Sequence, residues 1–297
     1  MDVEEKLTRI LVNFIKIVET RLSTDVVRAL ERAAEVEEGL AREVALAMIK
    51  NTEVAKDSSI PICEDTGIPE FFVELGLRNP YAAQVGKAIV RAVEKATEEV
   101  SLRPNAVNPF TNINTGNNIG RYVPWIHYDV LGDSDVIKVR LYVAGGGSSF
   151  AGEARGLTPI GWENQLIDFV VEKALKYGVN ACPPLLVGIG IGPTIEIAST
   201  LSKKALLREI GRRHEEPYVA EMEIRIQEKL NSYGLGPQGL RGKTFVLDVF
   251  IEYAHRHPAN VIAAVSFGCW VHRKGCLVIY PDLSYEIPTH GVGRRYD

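Results

Sequence analysis

The last three apolar runs of the chain, "TFVLDVFIEY", "NVIAAVSF" and "GCLVIY", follow one another with no helix-length segment between them. Parallel neighbours need a crossover of a dozen or more residues, usually a helix, so an orthodox doubly wound sheet is not expected. The opening of the chain is the opposite. Residues 3 to 57 read as helix throughout, with apolar residues at three- and four-residue spacing in "LTRILVNFIKIV" and a Ser23-Thr24-Asp25 cap before the next run. A further amphipathic helix is predicted over about 82 to 100, others over "NQLIDFVVEKALKYG", about 194 to 213 and about 217 to 232. "VIKVRLYVAGGGSSF" reads as a strand running into a glycine turn, and "CPPLLVGIGIGPT" as loop, buried strand and turn. The expected fold is mixed α/β of α+β-like character, a helix-rich N-terminal region packed around small β-sheets. It is read as one domain over residues 1–297, with a helical part to about 57. A short polar tail, about 284–297, is expected to be mobile from Pro288 unless a partner holds it.

Several function classes drop out on charge and patterning. A formal net charge of −4 gives no general attraction to nucleic acid or to an anionic membrane. The start, "MDVEEKLTRI", lacks the cationic and apolar regions of a secretory signal, and no apolar run approaches the ~20 residues that span a bilayer. The four cysteines, at 63, 182, 269 and 276, form no CxxC pair. In a chain of this size a disulfide framework is not expected, and the protein is placed in the cytoplasm with reduced thiols.

Those cysteines divide three to one. Cys63 lies in "PICEDTGIPEF", where Pro61, Gly67 and Pro69 break any regular element. Glu64 and Asp65 beside it would blunt a nucleophile, whereas a bound cation favours thiolate and tolerates carboxylates. Cys182 opens "CPPLLVGIGIG" and Cys269 closes "AAVSFGC", so both also fall at element ends. Cys276 instead sits in the continuous apolar run "GCLVIY" and reads as a packed thiol. Three thiolates can hold a zinc with a fourth ligand or an iron–sulfur cluster with one iron free. Spacing does not choose between them, and an inert loop cysteine is the plain alternative. A local zinc set from His255, His257, Cys269, His272 and Cys276 matches no common knuckle. The Gly145–Ser149 turn lacks the ending of a nucleotide P-loop. The glycines of "GIGIG" at 188 to 192 are read as close packing. The segment 103 to 124, rich in Asn, Pro and Gly, is long for a loop, and long loops in compact domains tend to carry function.

Taken together, "ICEDTG", "NTGNNIG", "GGGSS", "ACPP", "GLGPQG", "HRHPA" and "SFGC" resemble, in their order, the alpha subunits of class I fumarate hydratase and of the related L(+)-tartrate dehydratase. The motifs cover roughly residues 60 to 280. The resemblance implies an oxygen-sensitive 4Fe–4S cluster held by Cys63, Cys182 and Cys269, and a role for the holoenzyme in the tricarboxylic acid cycle. It implies a second half, a separate beta subunit that carries a threonine general base and further substrate-binding cations. After "SFGC" only 28 residues remain, so this chain is expected to supply half of an active site within an alpha–beta hetero-oligomer. Arg103 matches a carboxylate-binding arginine, His257 a histidine that hydrogen-bonds the distal carboxylate, and position 64, Asp65 and the Gly146 backbone match pocket-lining groups. Asp65 and His257 are the residues the resemblance places in catalysis. Adding water to fumarate does need a Lewis acid for the hydroxyl and a base for the carbon-bound proton, and a dianionic dicarboxylate needs cations around it. Glu64 departs from the neutral glutamine expected there, and a carboxylate would repel the substrate unless protonated or paired. The alternatives are L(+)-tartrate dehydration by the same chemistry, and a non-catalytic metal-binding scaffold subunit.

Overall fold

The computed structural model describes residues 2–296. They group into two compact units, the first made of the described residues up to 24, residues 51–145 and the described residues from 273 on, the second of residues 25–50 and 146–272. Both are mixed helix and sheet, as the chain's patterning predicts.

In the first unit α1 (Val3–Thr20) and the C-terminal part of α3 (Gly39–Ser58) precede β1 (Ile68–Gly76) and α4 (Val85–Glu99). There follow β2 (Trp125–Leu131), β3 (Ile137–Ala144) and, from the end of the chain, β8 (Arg273–Ile279), β9 (Tyr285–Ile287) and β10 (Val292–Arg295). The sheet order is β10-β9-β8-β3-β1-β2. Only the β1–β2 pair is parallel. Strand alternation sends Ile137, Val139, Leu141 and Val143 of β3 into one core with the apolar stripes of α1 and α4. The other face is polar: Arg140, opposite Cys276 in the register, pairs with Glu74, and Lys138 reaches the same carboxylate at 3.3 Å. Pro69 is tolerated in a central strand because β2 pairing begins only at Glu70.

In the second unit α2 (Thr24–Val36) is followed by α5 (Gly146–Phe150), β4 (Glu153–Leu157), α6 (Trp162–Tyr177) and β5 (Leu185–Gly192). Then come α7 (Ile195–Ala205), α8 (Pro217–Asn231), β6 (Val246–Tyr253) and β7 (Val261–Gly268). The sheet order is β4-β7-β5-β6, parallel only between β5 and β6. Along β5 the side chains of Val187, Ile189 and Ile191 join α6 and α8 in a second core. The glycines between them face α7. A Cβ at Gly190 would lie 1.9 Å from the Ala198 carbonyl oxygen and 2.5 Å from the Ser202 nitrogen, so this helix rests on bare strand backbone. "GIGIG" is therefore close packing, as read.

Three local departures have clear causes. The helix predicted to reach about 213 ends at Ala205. Beyond it Ile210 and Gly211 donate their amides to the carboxylates of Asp25 (2.9 Å) and Asp248 (2.7 Å) rather than to a helical carbonyl. The glycine turn after β3 is a short helix, α5. The C-terminal segment is not a free tail. β10 pairs with β9, Tyr296 and Arg294 both donate to Asp282, and Arg295 donates to the Tyr285 hydroxyl at 2.8 Å. Hydrogen bonds from Ser284 and then Tyr296 hold the Asp282 carboxyl well below the usual carboxylate range. Among the described residues no helix is long and apolar enough to cross a membrane.

Candidate active site

The predicted residues of the first unit do come together. The loop from Ile62 to Gly67 is irregular, so its backbone groups need outside partners. The Ile62 amide donates to the Glu19 carbonyl (3.0 Å) and the Ile62 carbonyl accepts from Asn51 Nδ2 (2.9 Å). The Asp65 carbonyl accepts from Arg273 Nη2 at 2.9 Å. Arg273 also donates from Nη1 to the Glu19 carboxylate at 2.8 Å, and each side chain of this ion pair is only 2% exposed. Burial pushes the Glu19 carboxyl up, and the guanidinium opposes that rise. Cys63 is half-buried on this loop.

Asp65 Oδ1 accepts from the Gly67 amide (2.9 Å) and from Asn105 Nδ2 (3.4 Å). Its Oδ2 lies 2.7 Å from where a Cβ on Gly145 would stand, so the first glycine of "GGGSS" makes room for this carboxylate. Gly147 lets α5 approach the Asn180 carbonyl in the same way. Gly146, between them, is exposed at the start of α5.

Arg103 sits beside the loop. Its amide donates to the Thr66 hydroxyl at 2.9 Å, and its carbonyl accepts from Asn118 Nδ2 at 3.0 Å. Asn118 is buried and also accepts from the Asn105 amide. With its main chain so fixed, the guanidinium reaches out to Glu64, Nη1 to Oε2 at 2.5 Å, the two side chains being 59% and 82% exposed. The acid that departs from the expected glutamine is thus charge-paired with the predicted substrate arginine. Thr66, Asn105 and Asn118 escaped the sequence reading as supporting residues, although the Asn-rich composition of 103–124 marked the region. Much of that polarity is spent on local turns, with Asn108, Asn114 and Asn117 accepting from amides two residues on.

In the second unit Cys182 has left-handed backbone (φ 57°) and is exposed. Its carbonyl accepts from the Trp270 amide at 3.1 Å, which ties the Cys182 loop to the residue after Cys269. Gln238 donates both its amide and Nε2 to the Pro183 carbonyl, each at 2.9 Å, a use for "GLGPQG" that the sequence alone did not disclose. Cys269 is half-buried, its thiol 3.5 Å from the Val271 carbonyl. His257 is exposed on a turn whose carbonyls, at 257, 258 and 260, accept from Arg256 Nη1. The Ala259 amide donates to His257 Nδ1 at 3.1 Å, so the neutral ring carries its proton on Nε2 and presents it as a donor. His272, by contrast, is buried with Nε2 2.9 Å from the Leu206 carbonyl, which answers for one member of the local zinc set.

No disulfide joins any of the four cysteines, and among the described residues no three His, Cys, Asp or Glu side chains are gathered to hold a metal ion. In kind, the donors fit an iron–sulfur cluster. Cys63, Cys182 and Cys269 carry soft thiols at loops or strand ends, the donor type that iron–sulfur clusters take. Cys276, expected as a packed thiol, is instead half-buried on the polar face of β8 opposite Arg140, and burial pushes its thiol up.

Residues 8–277 match the model of the family described as fumarate hydratase (Fumerase). The chain is 42% identical over 286 residues to the L(+)-tartrate dehydratase subunit alpha of Escherichia coli (strain K12), covering 96% of this chain and 94% of that protein. The same identity and coverage hold for the subunit of that name in Shigella sonnei. A protein of Methanocaldococcus jannaschii, provisionally given the same subunit name, is 36% identical over 274 residues, 91% of this chain and 96% of its own.

Proposed function

The chain belongs to the fumarate hydratase (fumerase) family, and from that membership we propose that it is the alpha subunit of an iron–sulfur-dependent hydro-lyase that reversibly hydrates fumarate to (S)-malate. The reading is carried by the Cys63–Glu64–Asp65 loop with Arg103 bonded beside it, in a chain whose family match spans residues 8–277. Residues 1–297 act in this reading as one catalytic domain, in the cytoplasm, with a beta subunit that brings the general base. Cys63, Cys182 and Cys269 are the proposed thiolate ligands of a 4Fe–4S cluster. When bound, the cluster supplies the Lewis acid that a hydroxyl leaving group requires.

The chain's own residues do the rest of the alpha half's work. Arg103 exchanges its exposed partner Glu64 for a substrate carboxylate, which a guanidinium can grip with two parallel N–H bonds. His257 donates from Nε2 to the distal carboxylate, a role its bound Nδ1 leaves open. Asp65, its carboxylate held by the Gly67 amide and Asn105, would accept a hydrogen bond from the substrate hydroxyl, which keeps its proton as it leaves. The Gly146 backbone is a further substrate contact in this reading.

A second reading, L(+)-tartrate as substrate, is favoured by the name of the 42% identical relatives. Both readings are tested by reconstituting the chain anaerobically with its cognate beta subunit and measuring dehydration of (S)-malate and L(+)-tartrate, with each subunit also assayed alone. The pair should dehydrate malate with the higher kcat/KM, and the alpha chain alone should be inactive. A preference for tartrate would move the assignment to the second reading. Turnover of neither by an iron-loaded pair would leave the scaffold role.

A further inference from the structure

The proposed function makes no use of the buried charge pair Arg273–Glu19, and burying two full charges is costly unless their geometry returns the loss. Here the pair does more than satisfy itself. Arg273 Nη1 is held by the Glu19 carboxylate at 2.8 Å, while Nη2 donates to the Asp65 carbonyl at 2.9 Å. Glu19 contributes its own carbonyl to the Ile62 amide at 3.0 Å, and Asn51 takes the Ile62 carbonyl at 2.9 Å. The main chain is therefore gripped at Ile62 and at Asp65, immediately on either side of Cys63 and Glu64. No helix or strand hydrogen bond constrains that span.

We propose that Arg273, charged and anchored by Glu19, is a positioning residue that fixes the Cys63–Asp65 loop, and so aims the Cys63 thiol and the Asp65 carboxylate. Its functional half rests on the reading of Cys63 as a cluster ligand. The planar guanidinium fork serves two acceptors at once, whereas a lysine ammonium is a single point that keeps the charge opposite Glu19 but not both fixed bonds. A purely structural pair would behave differently. Its loss would loosen the whole unit evenly and leave the activity of correctly folded molecules unchanged.

The test compares Arg273→Lys, and the neutral double variant Glu19→Gln/Arg273→Met, with wild type. Hydrogen–deuterium exchange is followed over residues 60–67 and over β3 of the same unit, on the full chain without iron. In both variants exchange at 60–67 should accelerate at least ~tenfold more than in β3. In the iron-loaded alpha–beta complex kcat should fall at least ~tenfold while KM changes less than about threefold. Equal acceleration in loop and strand, or a protected loop in either folded variant, would overturn the proposal, and so would a wild-type kcat. If the lysine variant does not fold, the double variant decides the matter, because it leaves no unpaired buried charge. The exchange measurement needs no cluster. A wild-type chain that took up no iron would thus overturn the reading of Cys63 separately, and the grip on the loop would stand or fall by exchange.

Discussion

At Arg103 the structure resolves a conflict of charge. Glu64 would repel a dianionic substrate if it stood alone, but it is the arginine's partner at 2.5 Å. Both side chains are more than half exposed, and an ion pair in that setting is worth at most about 1 kcal/mol. A substrate carboxylate offering two bonds to the fork can displace it. Arg103→Lys in the alpha–beta complex should therefore lower kcat/KM at least ~tenfold, about 1.4 kcal/mol of transition-state stabilisation. Iron content and thermal midpoint should stay near wild type, because it is the main chain of Arg103, not its guanidinium, that Thr66 and Asn118 hold. An unfolded variant with normal specific activity in the surviving fraction would make Arg103 structural instead. The thiols separate at the same scale. Burial raises the Cys276 thiol above its ordinary value, and only thiolate alkylates, so its modification must begin at more alkaline pH than that of an unperturbed thiol. In the iron-free chain at about pH 8, iodoacetamide followed by peptide mass mapping should find exposed Cys182 modified first and Cys276 last. Equal rates at the two would contradict the division of the cysteines into three and one.

Among the elements, β5 and α7 depend most on one residue type. An alanine methyl at Gly190 would enter the α7 backbone itself, at the Ala198 carbonyl and the Ser202 amide, and main-chain atoms cannot turn aside as a side chain can. Gly190→Ala should cost about 3 kcal/mol, the upper end for overpacking, read as a lowered urea midpoint. A midpoint unchanged from wild type would mean that α7 shifts freely on its strand. The glycine run was legible in the sequence as close packing, and so were α1, α4, α6 and α8, whose apolar residues recur at helical spacing. Strands with another signature were not legible. β1 has a proline as its second residue and carries the unalternated burial of "IPEFFVELG", so its period is hidden. β2 is an edge strand exposed along most of its length, and β4, "EARGL", is three-fifths charged or glycine. β10 is "VGRR", whose arginines bond Ser284, Asp282 and the Tyr285 hydroxyl from the far end of a turn. α7 stops short of the predicted end because Leu206, Leu207 and Arg208 donate to carbonyls only three residues back, and beyond them the Ile210 amide goes to the distant Asp25. Local pattern cannot reveal a distant acceptor. At the site, the motif residues Glu64, Asp65 and Arg103 were legible, while their supports Thr66, Asn105, Asn118 and Arg273 were not, because hydrogen bonding between segments far apart in sequence leaves no periodic trace.

Taken whole, the molecule divides its candidate chemistry between two units, each with its own core and sheet. The first holds Cys63, Glu64, Asp65 and Arg103; the second holds Cys182, Cys269, His257 and Gly146. Cys276 belongs with the first unit's sheet, whereas Cys269 directly follows β7 of the second. The cofactor half of the reading, a cluster on Cys63, Cys182 and Cys269, reduces to a statement about metal content. The most direct measurement is iron and sulfide per chain after anaerobic reconstitution, with the visible spectrum, for wild type and for each Cys→Ser variant. About four irons per chain and a broad visible absorption are predicted for wild type and for Cys276→Ser, with both lost in Cys63→Ser, Cys182→Ser and Cys269→Ser. Stoichiometric zinc that requires Cys276, or iron content indifferent to the three loop cysteines, would contradict the account.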